Sequence, residues 1–305
     1  MSSALKLKKD VISHYNRKMK LQAGAETSAR DSVAAKKQTP WIVIPRPKPD
    51  AAMRVFCLPY AGGSPAVFQT WADFFEDTNV EICLIHLPGR DSRMMDKMPD
   101  NFYILVQQLM KALSPYIMEK PYVVYGHCMG SLISFELFQQ LRNKGLPLPR
   151  HFFVGAHYAP SLLHPSTKPV SHLKHLSLEE FFQIADDLGG TEGAILSDPT
   201  TGALIATTLS ADYFAYGDYE YRPEKQFEFP ITVYLGLKDN LVKVEEARGW
   251  EKETTSECRF FELQNGDHFF VLQDKDSLLP MLKVEFKAVL ESQSTAAVEA
   301  ETVSR

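Results

Sequence analysis

Between residues 53 and 290 the chain alternates short apolar runs with longer segments whose apolar residues recur every three to four positions. The short runs cover 53–58, 80–87, 122–125, 152–156, 231–235 and 258–263, and they are rich in Val, Ile, Phe and Tyr. Runs this short, apolar at nearly every position, predict strands covered on both faces. The periodic segments at 66–76, 102–117, 131–143, 244–253 and 275–290 predict helices between them. Strand and helix in alternation imply a mostly parallel, doubly wound central sheet with helices on both faces. From His164 to about Tyr221 the alternation stops, and helical patterns continue with no strand. That stretch is too long for a plain connection. It predicts a helical lid, about residues 160–221, over the carboxyl edge of the sheet where such folds bind ligands.

The ends of the chain read differently. In the first 40 residues Lys6, Lys8, Lys9, Arg17, Lys18, Lys20, Arg30, Lys36 and Lys37 outnumber Asp10, Glu26 and Asp31 among many Ser and Ala. A disordered leader, a helix that docks on a partner and an organelle transit peptide all fit that composition. Pro40, Pro45, Pro47 and Pro49 then suggest an extended linker, so residues 1–50 are read as a flexible basic leader and linker. Residues 51–291 form the folded domain in this reading. Residues 292–305 lack a periodic apolar face and predict a disordered tail.

With 305 residues and 45% hydrophobic composition the chain can bury one sizeable core. A net charge of −5 with 23% charged residues gives no reason to expect nucleic acid or an anionic membrane as partner. No apolar run is long enough for a membrane span and no secretory h-region follows Met1, so a cytoplasmic protein is expected unless the leader targets an organelle. The four cysteines have neither metal-ligand spacing nor the density of a disulfide scaffold, and no metal is expected. Cys57, Cys83 and Cys258 sit inside apolar runs, where a free cysteine packs as a small hydrophobe. Cys128 sits among glycines.

The segment Gly126-His127-Cys128-Met129-Gly130 follows the apolar run Val123-Val124-Tyr125 and precedes Leu132-Ile133-Ser134-Phe135. A strand, a sharp turn of the form Gly-x-Cys-x-Gly and a helix make a nucleophile elbow with cysteine as nucleophile. The glycines let strand and helix pass closely, and the turn aims the Met129 N–H and the helix N-terminus at a developing oxyanion. The same positive end favours a thiolate. A nucleophile needs a base and the base an orienting acid, in the chain order nucleophile, acid, histidine. Asp239 follows the run 231–235, and His268 follows 258–263, so both fall on the edge where Cys128 lies. The competing reading of Asp239 is a helix N-cap. His157 also follows a strand but precedes the acid; His127 is read as a packing or hydrogen-bonding residue, and Asp267 as shaping the turn of His268. A second oxyanion donor is expected from the loop Leu58-Pro59-Tyr60-Ala61-Gly62-Gly63-Ser64.

These pieces together resemble a known family. Leu58-Pro59-Tyr60-Ala61-Gly62-Gly63-Ser64, Leu87-Pro88-Gly89-Arg90-Asp91-Ser92-Arg93, the Cys128 elbow, Asp187-Leu188-Gly189-Gly190-Thr191, Leu209-Ser210-Ala211-Asp212 and Gly266-Asp267-His268-Phe269-Phe270 occur in the order found in the type II thioesterases. Those are the editing enzymes of polyketide and nonribosomal peptide synthesis, and the medium-chain thioesterases of fatty acid synthases are related to them. The resemblance covers about residues 52–290. It implies an α/β-hydrolase fold with a mobile helical lid, a triad of Cys128, Asp239 and His268, and oxyanion donors at Ala61 and Met129. It implies hydrolysis of an acyl thioester on the phosphopantetheine of an acyl or peptidyl carrier protein, or on coenzyme A, with no other cofactor and by a monomer.

The family elbow usually carries serine, where this chain has Cys128. Thiolate attack on a thioester is nearly thermoneutral, and the acyl-enzyme is itself a thioester, open to amines and thiols. Acyl transfer, aminolysis or cyclisation is therefore the alternative outcome of the same intermediate. A dienelactone-hydrolase-like enzyme, which also has a cysteine elbow, and a non-catalytic carrier-binding module are the remaining alternatives.

Overall fold

The structure is a computed structural model that describes residues 39–163, 175–177, 179–181, 183–184 and 199–303. Among the described residues seven strands form one sheet: β1 (Ile42–Val43), β2 (Met53–Leu58), β3 (Val80–Ile85), β4 (Tyr122–His127), β5 (Phe152–Gly155), β6 (Ile231–Gly236) and β7 (Cys258–Leu263). Their spatial order is β1-β3-β2-β4-β5-β6-β7. Every pairing is parallel except that of β1 with β3, which is antiparallel. The six parallel strands are those that the apolar runs predict, with ends shifted by at most two residues.

Burial explains their uniform apolarity. All residues of β2, β3, β4, β5 and β6 are buried. Successive side chains alternate between two cores. Phe56, Leu58, Val124, Phe152 and Val154 face one, with the helices α1 (Phe102–Ile117) and α2 (Met129–Asn143) packed over them. Val55, Cys57, Val123, Tyr125 and Phe153 face the other, which is closed by Phe68, Trp71, Phe75 and the C-terminal helix through Leu278, Leu282 and Phe286. In α1 the buried positions Phe102, Leu105, Val106, Leu109, Met110, Leu113 and Ile117 keep the helical repeat, and the Asn101 side chain caps the N–H groups of Tyr103 and Ile104.

Chain order reverses at β2, which has β3 on one side and β4 on the other. Loops leaving the carboxyl ends of β2 and β4 therefore diverge and leave a crevice, the usual ligand position in an open parallel sheet. Between β5 and β6 the described residues form a 3₁₀ turn at Pro160–Leu162 and the helix α3 (Pro199–Tyr216), and no strand. The motif Asp187–Thr191 and residues His164 and His172 lie outside the described residues, as does the leader through residue 38.

The folded unit begins earlier and its last helix runs later than the sequence predicts. Residues 39–50 are not a free linker: Ile42 and Val43 pair with Ile85 and Leu84, and Trp41 is 8% exposed. The Arg93 guanidinium lies 4.4 Å from the centre of the Trp41 ring. Lys48 Nζ is anchored on the carbonyls of Phe75, Glu76 and Thr78. An edge strand tolerates the surrounding prolines, because its outer N–H groups have no ladder partner. At the other end, α4 (Lys275–Val303) continues through the stretch read as a disordered tail. Propagating a helix already nucleated on a packed face is far easier than starting one, and Ala296, Ala297, Glu299 and Ala300 are good helix formers. The predicted helix 66–76 is divided into a 3₁₀ turn at Pro65–Phe68 and a short α-turn at Trp71–Phe74. Phe68 and Trp71 are spaced by the 3₁₀ repeat, Trp71 and Phe75 by the α repeat, and hydrophobic spacing does not separate the two.

Replacing Trp41 by Ala should lower unfolding free energy by about 3 kcal/mol in a urea titration, the usual loss for a buried tryptophan. A change below about 0.5 kcal/mol would mean that residues 39–50 are a linker after all.

Candidate active site

The site begins with a strained residue. Cys128 joins β4 directly to α2 with φ 52° and ψ −119°, a backbone conformation that side chains disfavour. Its N–H donates to Gly155 O at 2.8 Å, and its carbonyl accepts from Ser131 N at 2.8 Å. A Cβ on Gly126 would lie 2.6 Å from Gly130 O, and one on Gly130 would collide with the backbone of Leu58. Both glycines are required because the strand, the helix and β2 pass with backbone against backbone.

Asp239 follows β6 within one turn. Its Oδ1 accepts from Leu241 N at 2.7 Å and Val242 N at 3.1 Å, while Oδ2 lies 2.9 Å from His268 Nδ1. Asp239 thus both caps a turn, as the competing reading supposed, and bonds a histidine. The loop carrying His268 lies close to the end of β6: a Cβ on Gly236 would lie 2.5 Å from Asp267 O. Asp267 Oδ1 accepts from Phe269 N at 2.7 Å and so shapes the turn of His268. The side chains of His268 and Asp239 are 9% and 1% exposed.

With Nδ1 bonded to Asp239, the other ring nitrogen of His268 is left for Cys128, which lines the same cavity. Burial pulls the His268 pKa down, but the charge of Cys128 beside it, then the hydrogen bond to Asp239 and that carboxylate's charge, outweigh it and raise it to about 10. Burial also opposes ionisation of Asp239, yet the bond to His268, its charge and the two backbone N–H groups hold that carboxylate below its ordinary value.

Behind this pair stands His127. Its Nε2 lies 2.8 Å from His268 O, so it donates there, and Nδ1 accepts from the Tyr125 hydroxyl at 3.1 Å. Burial first, and the charge of His268 second, lower its pKa to about 3, which keeps it neutral. The sequence assigned His127 only to packing or hydrogen bonding; its grip on the His268 backbone spans 141 residues and leaves no local signal.

The expected oxyanion loop is a tight turn. Gly63 N donates to Tyr60 O at 2.9 Å, and Gly62 has φ 78°, as the third position of a type II turn requires. Ala61, between them, has an N–H with no hydrogen bond among the described residues. Met129 is the first residue of α2, where an N–H has no intrahelical acceptor. Ala61, Met129, Cys128 and His268 all line one cavity of about 270 Å³. The structure therefore brings together all five residues singled out from the sequence. His157 also lines this cavity, with its Nδ1 turned to Tyr158 O at 2.5 Å.

Tyr158, Tyr213 and Tyr216 form much of the remaining wall, and none of them was singled out from the sequence. The Tyr158 and Tyr216 hydroxyls are 3.1 Å apart.

A family model of the thioesterase domain matches residues 53–284. The chain belongs to this family. It is a thioester hydrolase of the α/β-hydrolase fold. Among curated relatives, the gramicidin S biosynthesis protein GrsT of Aneurinibacillus migulanus is 34% identical over 250 residues, covering 82% of this chain and 95% of GrsT. The medium-chain S-acyl fatty acid synthase thioesterase of Rattus norvegicus is 28% identical, covering 74% of this chain and 84% of its own. Among solved structures, the type II thioesterase BorB from the borrelidin biosynthetic cluster superposes with a TM-score of 0.70 at 28% identity, covering 80% of this chain and 96% of BorB.

The shifts at His268 and Asp239 give this thioesterase a pH signature. A histidine whose folded pKa is raised from 6.5 to about 10 contributes stability that is complete below 6.5 and is lost as pH rises through about 10. The lowered Asp239 contributes above its unfolded value of 3.8 and loses that contribution as pH falls further. Asp239→Asn keeps the acceptor for Leu241 and Val242 but removes the charge. The Tm difference from wild type should be largest between these two unfolded values and shrink towards pH 10. A difference independent of pH would show that folding shifts the pKa of neither group.

Proposed function

We propose that this thioesterase releases acyl groups from the phosphopantetheine thiol of an acyl or peptidyl carrier protein, or from coenzyme A, through an acyl group carried on Cys128. The observation that supports this reading best is the buried Asp239–His268 pair beside Cys128 at the wall of an apolar, tyrosine-rich cavity. GrsT, BorB and the rat enzyme are named for biosynthetic systems of these kinds, and this chain is assigned to the same broad setting by analogy.

The steps use the chain's own groups. Sulfur of Cys128, as thiolate beside the His268 imidazolium, attacks the thioester carbonyl carbon. The carbonyl oxygen becomes an oxyanion between the N–H groups of Ala61 and Met129, at the positive end of α2. When the carbon–sulfur bond to the carrier breaks, His268 gives its proton to the departing thiolate. His268, now neutral, takes a proton from water as the water oxygen attacks the Cys128 acyl carbon. Collapse releases the carboxylic acid and restores the thiolate and imidazolium. Asp239 orients the ring throughout and stabilises its charged form.

A second outcome is favoured by one observation, the sulfur of Cys128. The intermediate is a thioester rather than an oxygen ester, and an amine that reaches it before water gives an amide. Acyl transfer, aminolysis or cyclisation then shares every step up to deacylation.

Cys128→Ala and His268→Ala should each lower kcat/KM for acyl-carrier substrates by at least about 10³-fold. Graded acyl chains, assayed with and without an amine acceptor, separate the two outcomes. Free acid in every arm would exclude transfer, and turnover of a small lactone but of no thioester would overturn the reading itself.

A further inference from the structure

The loop that carries Ala61 does not hold itself in place. Two segments distant in sequence meet on it: Arg90, in the loop after β3, and Asp212, on α3. Arg90 is 3% exposed and Asp212 is fully buried. Their contact is bidentate, Nη2 to Oδ1 at 2.5 Å and Nη1 to Oδ2 at 3.0 Å. Each also grips the turn directly. Asp212 Oδ2 accepts from Gly62 N at 2.7 Å, and Arg90 Nη1 donates to Gly63 O at 2.7 Å. Arg90 Nε closes the arrangement on Pro88 O at 3.3 Å.

Stability is a poor explanation for such a pair. Two charges removed from water lose hydration that their attraction roughly repays, and apolar side chains of the same size often do as well. What the pair supplies is direction. In the turn Tyr60–Gly63, the N–H of Gly63 closes the turn on Tyr60 O and that of Gly62 is taken by Asp212. The amide of Ala61, a residue that lines the cavity, has no partner among the described residues. Leu209, one turn before Asp212 on α3, also packs over Gly62, where a Cβ would sit 3.4 Å from Leu209 Cδ1. The helix that supplies Leu209, Tyr213 and Tyr216 to the cavity wall is thereby bolted to the turn.

We propose that Arg90 and Asp212 are positioning residues that fix the Ala61 amide for the oxyanion and make its placement depend on the seating of α3. The proposal rests on the oxyanion role given to Ala61 above. It makes the lid helix part of the catalytic geometry as well as a wall for the acyl chain. The pair touches no reacting atom and acts through the Ala61 backbone.

Two reactions of the same sulfur test this. Acylation by a thioester passes through an oxyanion, whereas alkylation by iodoacetamide displaces iodide and forms none. In Arg90→Lys, which keeps the charge but loses the fork, and in the double variant Arg90→Met with Asp212→Leu, the acylation rate at saturating thioester should fall about 10²-fold, as for loss of one oxyanion donor. The rate of Cys128 alkylation and the KM should stay near wild type. Acylation at the wild-type rate in either folded variant overturns the proposal. A parallel loss of acylation and alkylation overturns it as well, since that reports general damage to the site. Failure of the underlying reading is separate: wild-type protein would then be alkylated at Cys128 yet never acylated there.

Discussion

Everything at this site is referred to a backbone contact in which no side chain fits. Gly126 and Gly130 flank Cys128, and the carbonyl of Leu58 lies where a Cβ of Gly130 would be. That contact forces β2, β4 and α2 together and holds Cys128 at φ 52°. A non-glycine residue in such a conformation is strained by about 1–3 kcal/mol and persists only when its surroundings over-determine it. Here they do, since β4 is buried throughout and α2 buries eleven residues, Met129 among them. The strain lifts one side chain out of the sheet edge at the point where chain order reverses.

Around that fixed point, burial is compensated group by group. Asp239 has three hydrogen bonds, one of them to Nδ1 of His268, so the two charges compensate each other. His127 is neutral and engages its neighbours through both ring nitrogens. The ion pair of Arg90 and Asp212 follows the same rule, with the turn amides as its remaining partners. Polar groups this well satisfied confer direction more than stability. Such direction is what a reaction with a short-lived oxyanion needs.

Much of this arrangement was legible along the chain because its signals are local. A strand, two glycines two residues either side of a cysteine, and a helix fit within a dozen residues. Asp239 and His268 each follow an apolar run by only a few positions. The β1 strand was missed because two residues carry no period, and the surrounding prolines masked a short edge. The helical end of α4 was missed because composition without an apolar face resembles disorder, although a helix already begun extends readily. Two partners, Asp212 for Arg90 and His268 for His127, were out of reach for another reason. Each lies more than 100 residues away, 122 in one case and 141 in the other, and no local pattern records which loop a charge will meet.

In the proposed mechanism, sulfur at the elbow decides the fate of the captured acyl group. A serine would carry that group as an oxygen ester; Cys128 would carry it at about the energy of the substrate itself, so every later step would depend on which nucleophile arrives. The central claim is that this sulfur is the acyl carrier. Rapid quenching of the protein with an acyl-carrier substrate, then peptide mass mapping, tests it most directly. The account predicts an acyl increment on the peptide containing Cys128, removed by neutral hydroxylamine as a thioester is. An acyl group on any other residue, or an undiminished increment in Cys128→Ala, would contradict it.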